Sequence, residues 1–307
     1  MGLNYRTAQF LISCSAPGSP LVNKVDFAKT LMLGRQGFTP SKRDCIKLLK
    51  EIFKNEFTEK HSKDFFDALS KATSTRYPGN TYAEPFFKLI GTSIESLDYS
   101  DYEDATIVHD LSKPIPSELK NKYSCVIDGG TLEHVYDYPT AFKNAMDLVA
   151  VGGHIILLTP GNNFLGHGFY QLSPELFYSI LRKENGFADT QIYCNNGDKW
   201  YLISDPRVIH RRTEFSPSWP NMLLYVVSRK IDEVPDCVRA YQSDYENAWS
   251  QGDGSNNLNE NKSALKDTVH FWNNRLSECG IGGIIKNIGY KFRNKKRFKN
   301  STTRIRL

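Results

Sequence analysis

No stretch of this 307-residue chain approaches the roughly 18 consecutive apolar residues that a membrane-crossing helix needs. "AQFLIS" near the start is too short for a signal-peptide core, and "MGLNYR" has Arg6 where a myristoylation signal carries Ser or Thr. The six cysteines stand far apart, with no CxxC and no histidine at ligand spacing, so neither a disulfide framework nor a zinc site is indicated. The simplest expected setting is a reducing cytosol. Acidic residues are also absent from Lys286 onward, where nine Lys and Arg stand together. Before that point 30 basic residues face 34 acidic ones, so the net charge of +5 belongs to the tail and the body is mildly acidic.

What is present alternates. "KTLMLG", "SIESLD", "ATIVHD", "YSCVID" and "HIILLTP" read as buried strands, and "PSKRDCIKLLKEIF" and "PTAFKNAMDLVAVGG" between them carry helical stripes. In the second of these, Phe142, Ala145, Met146 and Val149 share a face and Gly-Gly marks the stop. "SPELFYSILRKENGF" starts a helix with Ser at the cap and Pro in the first turn. "TQIYC" and "NMLLYVVSRK" fit two final strands. Such alternation predicts an α/β fold with a mostly parallel sheet. Residues 1–230 form this domain, with 55–82 as a cap insertion; 231–280 form a helical appendage with a linker at 251–263. Residues 281–307 form a tail, apolar and then cationic, suited to an anionic membrane surface and equally to a solvated, disordered state. Without a nucleic-acid-binding fold, the tail supports only non-specific attraction to nucleic acid, which is set aside as a partner.

In open parallel sheets, ligands bind beyond the carboxyl ends of the strands. Asp98, Asp110 and Asp128 each close a strand and so belong to one edge; each could also simply begin a turn. The run "YSCVIDGGTLEHVYD", a helix, and "LVAVGGHIILLTPG" then resemble the fourth and fifth strand region of class I S-adenosylmethionine-dependent methyltransferases. The likeness covers about residues 28–230. It implies a Rossmann-like class I methyltransferase sheet, mostly parallel with an antiparallel last strand, and S-adenosylmethionine as cofactor. Asp98 with Tyr99 would meet the ribose, Asp110 with Leu111 the adenine, and Asp128, Gly129 and Gly130 would wall the methionine portion. The family's glycine-rich loop is replaced here by "LMLGRQGF", with Gly34, Arg35, Gln36 and Gly37. Arg35 would either pair with the cofactor carboxylate or fill the site. Together with "SLDYSDYE", this variant resembles a methyltransferase-like group often encoded near surface-glycan genes.

On the acceptor side, "LEH" supplies Glu133 and His134. His134 is a candidate base for a hydroxyl acceptor; the alternative is a Glu that favours a helix start and a satisfied structural histidine. Quinone-type O-methyltransferases join a similar Glu-His to an acid three residues earlier to hold a metal. Gly130 stands at that position, so no metal is expected. "GNNFLGHGFYQLSP" offers polar and aromatic groups for a sugar or other polar ring, with His167 as a second candidate base. The leading expectation is O-methylation of a small-molecule or glycan-type acceptor. A methyltransferase fold that has lost catalysis and serves as a scaffold, peripheral at a membrane, is the alternative. A nicotinamide-dependent dehydrogenase shares the sheet type but would need the absent G-x-G-x-x-G.

Overall fold

The computed structural model describes residues 2–16, 24–74, 80–210, 212–213, 220–233, 240–251 and 302–305. The cationic run of the tail and most of the linker and second appendage helix lie outside the described residues. Among these residues no helix is long and apolar enough to cross a membrane.

One nine-stranded sheet organises the chain. Its strands are β1 (Lys29–Leu33), β2 (Ser93–Asp98), β3 (Ile107–Val108), β4 (Tyr123–Asp128), β5 (Val149–Asn162), β6 (Phe187–Asn196), β7 (Lys199–Ile203), β8 (Met222–Lys230) and β9 (Thr302–Ile305). The order is β3-β2-β1-β4-β5-β8-β6-β7-β9. The first five run parallel, β8 enters antiparallel to β5, and β6, β7 and β9 follow by antiparallel pairing. This is the mostly parallel, Rossmann-like sheet with an antiparallel late strand that the resemblance implied, here widened by the β6–β7 hairpin and by β9.

Helices cover both faces. They are α1 (Tyr5–Ser15), α2 (Lys42–Phe53), α3 (Glu59–Leu69), α4 (Glu84–Leu89), α5 (Tyr138–Leu148), α6 (Pro174–Ile180), α7 (Pro206–Ile209) and α8 (Ser243–Gln251). Because side chains alternate across a strand, each strand feeds two cores. Leu31, Leu33, Val126 and Ile155 join α5 and α6 on one face. Met32, Cys125, Ile127 and Ile156 join α1, α2 and α4 on the other. Helix α3, in the expected cap segment, adds Phe65 to this second core, edge-on to Phe38 at 5.9 Å.

Several boundaries differ from the sequence reading. α5 stops at Leu148, and Val149 to Gly153 already run in β5, because the β-branched Val149 and Val151 favour extended backbone over a helix end. β5 continues past Pro160 to Asn162, and its register against β8 shifts there. "ATIVHD" yields only two paired residues. α6 is a short helix, followed by a 3-10 turn and a left-handed Gly186. α1 is capped by Asn4, whose side chain accepts from the N–H groups of Arg6 and Thr7. The sequence reading missed α1, α4, α7, β7 and β9. In the appendage, α8 is held to α6: Ser243 N–H donates to Glu175 Oε1 at 2.7 Å.

Candidate functional site

The register sets the edge. Leu33 of β1 pairs with both Leu97 of β2 and Asp128 of β4, so β1, β2 and β4 end level with one another. β1 and β4 are also where the strand order reverses, since β2 and β3 lie to one side and β5 to the other. Crevices at such a reversal are the usual ligand sites of open α/β sheets.

The three edge aspartates differ in what they have left to offer. Asp98 is half-buried; its Oδ1 accepts from the Tyr99 N–H at 2.7 Å, and no other hydrogen bond of its carboxylate forms among the described residues. The Tyr99 ring is largely exposed. Asp110 is occupied by its own turn: Oδ1 accepts from the Ser112 N–H at 3.0 Å and from the Ser112 hydroxyl at 2.6 Å. Those bonds hold its carboxyl below the usual range. Leu111 is buried in the α5-side core, and its carbonyl accepts from the buried Asn144 side chain at 2.9 Å. Asn144 also accepts from the Ile115 N–H at 3.1 Å. It fixes this loop to α5, a role the sequence did not reveal.

Asp128 is 1% exposed and ties down the turn after β4. Its Oδ1 accepts from the N–H groups of Gly130, Thr131 and Leu132 at 3.2, 2.8 and 3.4 Å. Burial, with the nearby Glu133, pushes its carboxyl up to about 7 against those three donors. Gly129 and Gly130 lie in the same turn, Gly130 with φ +103°.

The "LGRQ" loop turns its two long side chains in different directions. Arg35 lies over the Tyr82 ring at 4.0 Å, donates through Nε to Glu84 at 2.7 Å and through Nη1 to the Glu103 carbonyl at 2.7 Å, and approaches Asp104 at 3.6 Å. Its guanidinium is thus committed to α4 and the β2–β3 loop. Gln36 folds back and is 4% exposed. Its Nε2 donates to the Leu33 carbonyl at 2.8 Å and reaches the Thr131 hydroxyl at 3.3 Å, while Oε1 is buried without a donor. Thr131, also missed in the sequence, donates its hydroxyl to Leu33 at 2.8 Å and so fastens the β4 turn to β1. Gly34, at φ +68°, leaves room for that hydroxyl, since a Cβ there would stand 2.5 Å from it; a Cβ on Gly129 would meet Gln36 at 2.7 Å. These two glycines accommodate protein atoms.

Beside this turn the structure gathers the three acceptor-side candidates. Leu132–His134 form a 3-10 turn that places Glu133 inward and leaves His134 half-exposed. His167 arrives from the loop after β5, the neighbour of β4. Its Nε2 lies 3.4 Å from Glu133 Oε1; His134 Nε2 lies 4.0 Å from the same oxygen, and the two imidazoles meet edge-on at 4.8 Å. Glu133 is 0% exposed, and neither carboxylate oxygen has a hydrogen-bond partner among the described residues. Burial raises its carboxyl and lowers both histidines, so all three groups are biased towards neutrality. The second loop is pressed against the first: Phe169 N–H donates to the Glu133 carbonyl at 2.8 Å. Gly168, at φ +67°, is required there, since a Cβ would stand 2.9 Å from that carbonyl oxygen. The Tyr170 hydroxyl donates to the Tyr136 carbonyl at 2.7 Å, and the exposed rings of Tyr136 and Phe169 meet edge-on at 6.0 Å.

No family model and no curated relative matches the chain. Among solved structures it is similar to the trans-methyltransferase CalH in complex with SAH, at 13% identity over 66% of this chain and 51% of that one, with a TM-score of 0.32. It is also similar to a Burkholderia thailandensis 1,6-didemethyltoxoflavin-N1-methyltransferase with bound 1,6-didemethyltoxoflavin and S-adenosylhomocysteine (12%, 62% and 87%, TM-score 0.32). A SAM-dependent methyltransferase of Thermotoga maritima gives 13%, 74% and 89%, with a TM-score of 0.36. The chain spans about half the length of CalH. With TM-scores this low the fold rests on the strand order, not on these likenesses.

Proposed function

We propose that the chain is an S-adenosylmethionine-dependent methyltransferase that transfers a methyl group to a hydroxyl of a small-molecule or glycan-type acceptor. The observation that carries this reading is that one carboxyl edge of a mostly parallel sheet, where the strand order reverses, carries both the half-buried Asp98 after β2 and the Glu133, His134 and His167 trio after β4 and β5. The residues fit the cofactor at two points: Asp98 retains a carboxylate oxygen for ribose hydroxyls, and Gln36 Oε1 is a buried acceptor lacking a donor, suited to an ammonium group. In this reading Arg35 is not assigned to the cofactor carboxylate, because its Nε and Nη1 hold it to Glu84 and the Glu103 carbonyl.

When bound, S-adenosylmethionine supplies an electrophilic methyl group. The chain's own contribution is then orientation and proton handling, which suffice in kind for an in-line displacement. The Tyr136 and Phe169 rings offer a surface for a sugar face or another flat acceptor. The trio receives the acceptor's hydroxyl.

A second reading has one observation behind it. The Gln36 side chain occupies the space between Gly34 and Gly129, as it would in a fold that has become a binding or scaffold protein. Calorimetric titration with S-adenosylhomocysteine separates the two. Binding by the wild type, weakened at least about tenfold (about 1.4 kcal/mol) by Asp98→Ala with unchanged melting, is expected. No heat at high micromolar ligand, with binding gained on Gln36→Ala, would establish the scaffold instead.

A further inference from the structure

We infer that Glu133, His134 and His167 form a divalent-metal site of the zinc class, with two imidazoles and one carboxylate as ligands and an open position towards solvent. The ligand atoms of these three residues lie within 4.8 Å of one another. A zinc ion about 2.0–2.2 Å from each ligand needs them no more than about 4.2 Å apart. Glu133 Oε1 already meets that condition with both histidines, at 3.4 and 4.0 Å. A rotation of the half-exposed His134 ring closes the remaining edge.

The strongest indication is what Glu133 lacks. A fully buried side chain whose two carboxylate oxygens accept nothing from the described residues leaves strong acceptors unused, and buried polar groups are almost always satisfied. The His167 Nε2 atom beside it is likewise buried without a partner. Three unpartnered or loosely partnered ligand atoms pointing at one another are what a cation would satisfy together. A plain Glu-His pair accounts for less, because among the described residues the pair forms no hydrogen bond across its 3.4 Å separation and Oε2 stays unused.

The sequence argued against a metal because Gly130 occupies the place of a third acid. The fold supplies the third ligand from elsewhere, since β4 and β5 are neighbours and the β5 loop is clamped onto Glu133 through Phe169 and Gly168. Two neutral ligands and one carboxylate leave a bound Zn²⁺ with net positive charge, so an oxygen in the open position would be acidified. Use of that position for the acceptor hydroxyl, whose proton would leave to water, rests on the methyl-transfer reading. Binding of the ion does not.

The test is a Zn²⁺ titration of the full chain, stripped with a chelator, against a chromophoric competitor, alongside His167→Ala and Glu133→Gln. One equivalent bound with a Kd below about 1 µM, weakened at least about tenfold in both variants, is expected; loss of even an outer-shell partner costs about 10- to 100-fold. Zn²⁺ should also raise the melting temperature of the wild type more than that of either variant, by mass action on the folded state. His167 is partly exposed, so its replacement leaves the fold intact, and melting of the metal-free variants verifies this. Equal affinity and stoichiometry in wild type and both variants overturns the site. S-adenosylhomocysteine calorimetry, run separately on the zinc-free chain, decides the methyl-transfer reading, so failure of one cannot be mistaken for failure of the other.

Discussion

The loops after β1 and after β4 stand side by side at one edge of the sheet, yet they treat charge in opposite ways. After β1, Arg35 has a carboxylate, a backbone carbonyl and an aromatic face around its guanidinium. After β4, Glu133 is buried deeper and accepts no hydrogen bond. The contrast repeats within the second loop, where Asp128, five residues earlier and equally buried, accepts from three backbone N–H groups. A saturated buried carboxyl reads as scaffold. An unsaturated one persists at a cost to folding, and such costs concentrate where a ligand will complete the group.

The sharpest way to break this contrast is to delete each carboxylate. Asp128→Ala strands three backbone donors and should cost about 3 kcal/mol at roughly 1 kcal/mol per lost bond. Glu133→Gln, in metal-free protein, should cost less than about 1 kcal/mol or stabilise, because the carboxyl it replaces makes no hydrogen bond among the described residues that would be lost. Urea unfolding of the two variants at one pH compares them directly, and equal losses would dissolve the distinction between turn cap and site. Arg35 tests the other loop. Arg35→Gly should cost about 2 kcal/mol by orphaning Glu84 and the Glu103 carbonyl, and should not improve affinity for S-adenosylhomocysteine. A gain in affinity would mean that Arg35 obstructs the site despite its pairings.

The smallest effect comes from a control at the wrong end of a strand. His154 in β5 is buried with both ring nitrogens unpartnered, but it pairs with Cys125 and Arg229, away from the carboxyl edge. Burial lowers its pKa, so the folded chain keeps it neutral while the unfolded chain takes a proton below about pH 6.5. Its contribution is therefore complete above that pH and declines as pH falls. His154→Leu should gain about 1 kcal/mol near neutral pH and flatten the acid limb of stability against pH. An unchanged acid limb would show that His154 is hydrated or paired in solution.

Long apolar strands and the aspartates that end them were legible in the sequence, since burial on both faces imposes continuous runs such as those of β4, β5 and β8. The placement of Asp98 at the edge followed from its strand ending alone. The direction of Arg35 did not, because Glu84 and Glu103 reach it from two other elements. His167 and Glu133 are 34 positions apart in the sequence, and only the pairing of β4 with β5 joins their loops. One signal for β7 does stand in the sequence: "NNGD" between "TQIYC" and "KWYLI" is a hairpin turn with Gly197 at φ +58°.

β9 has a further consequence for the solution behaviour of the chain. Four residues, Thr302–Ile305, lie along β7 and pair with Trp200, Tyr201, Leu202 and Ile203. Without them, that aromatic and aliphatic strand would be the margin of the sheet, with a row of free peptide groups available to any second molecule. The margin passes instead to β9, four residues long and carrying Arg304, and the opposite margin is β3, only two residues long; short edge strands of this kind offer little template for edge-to-edge pairing.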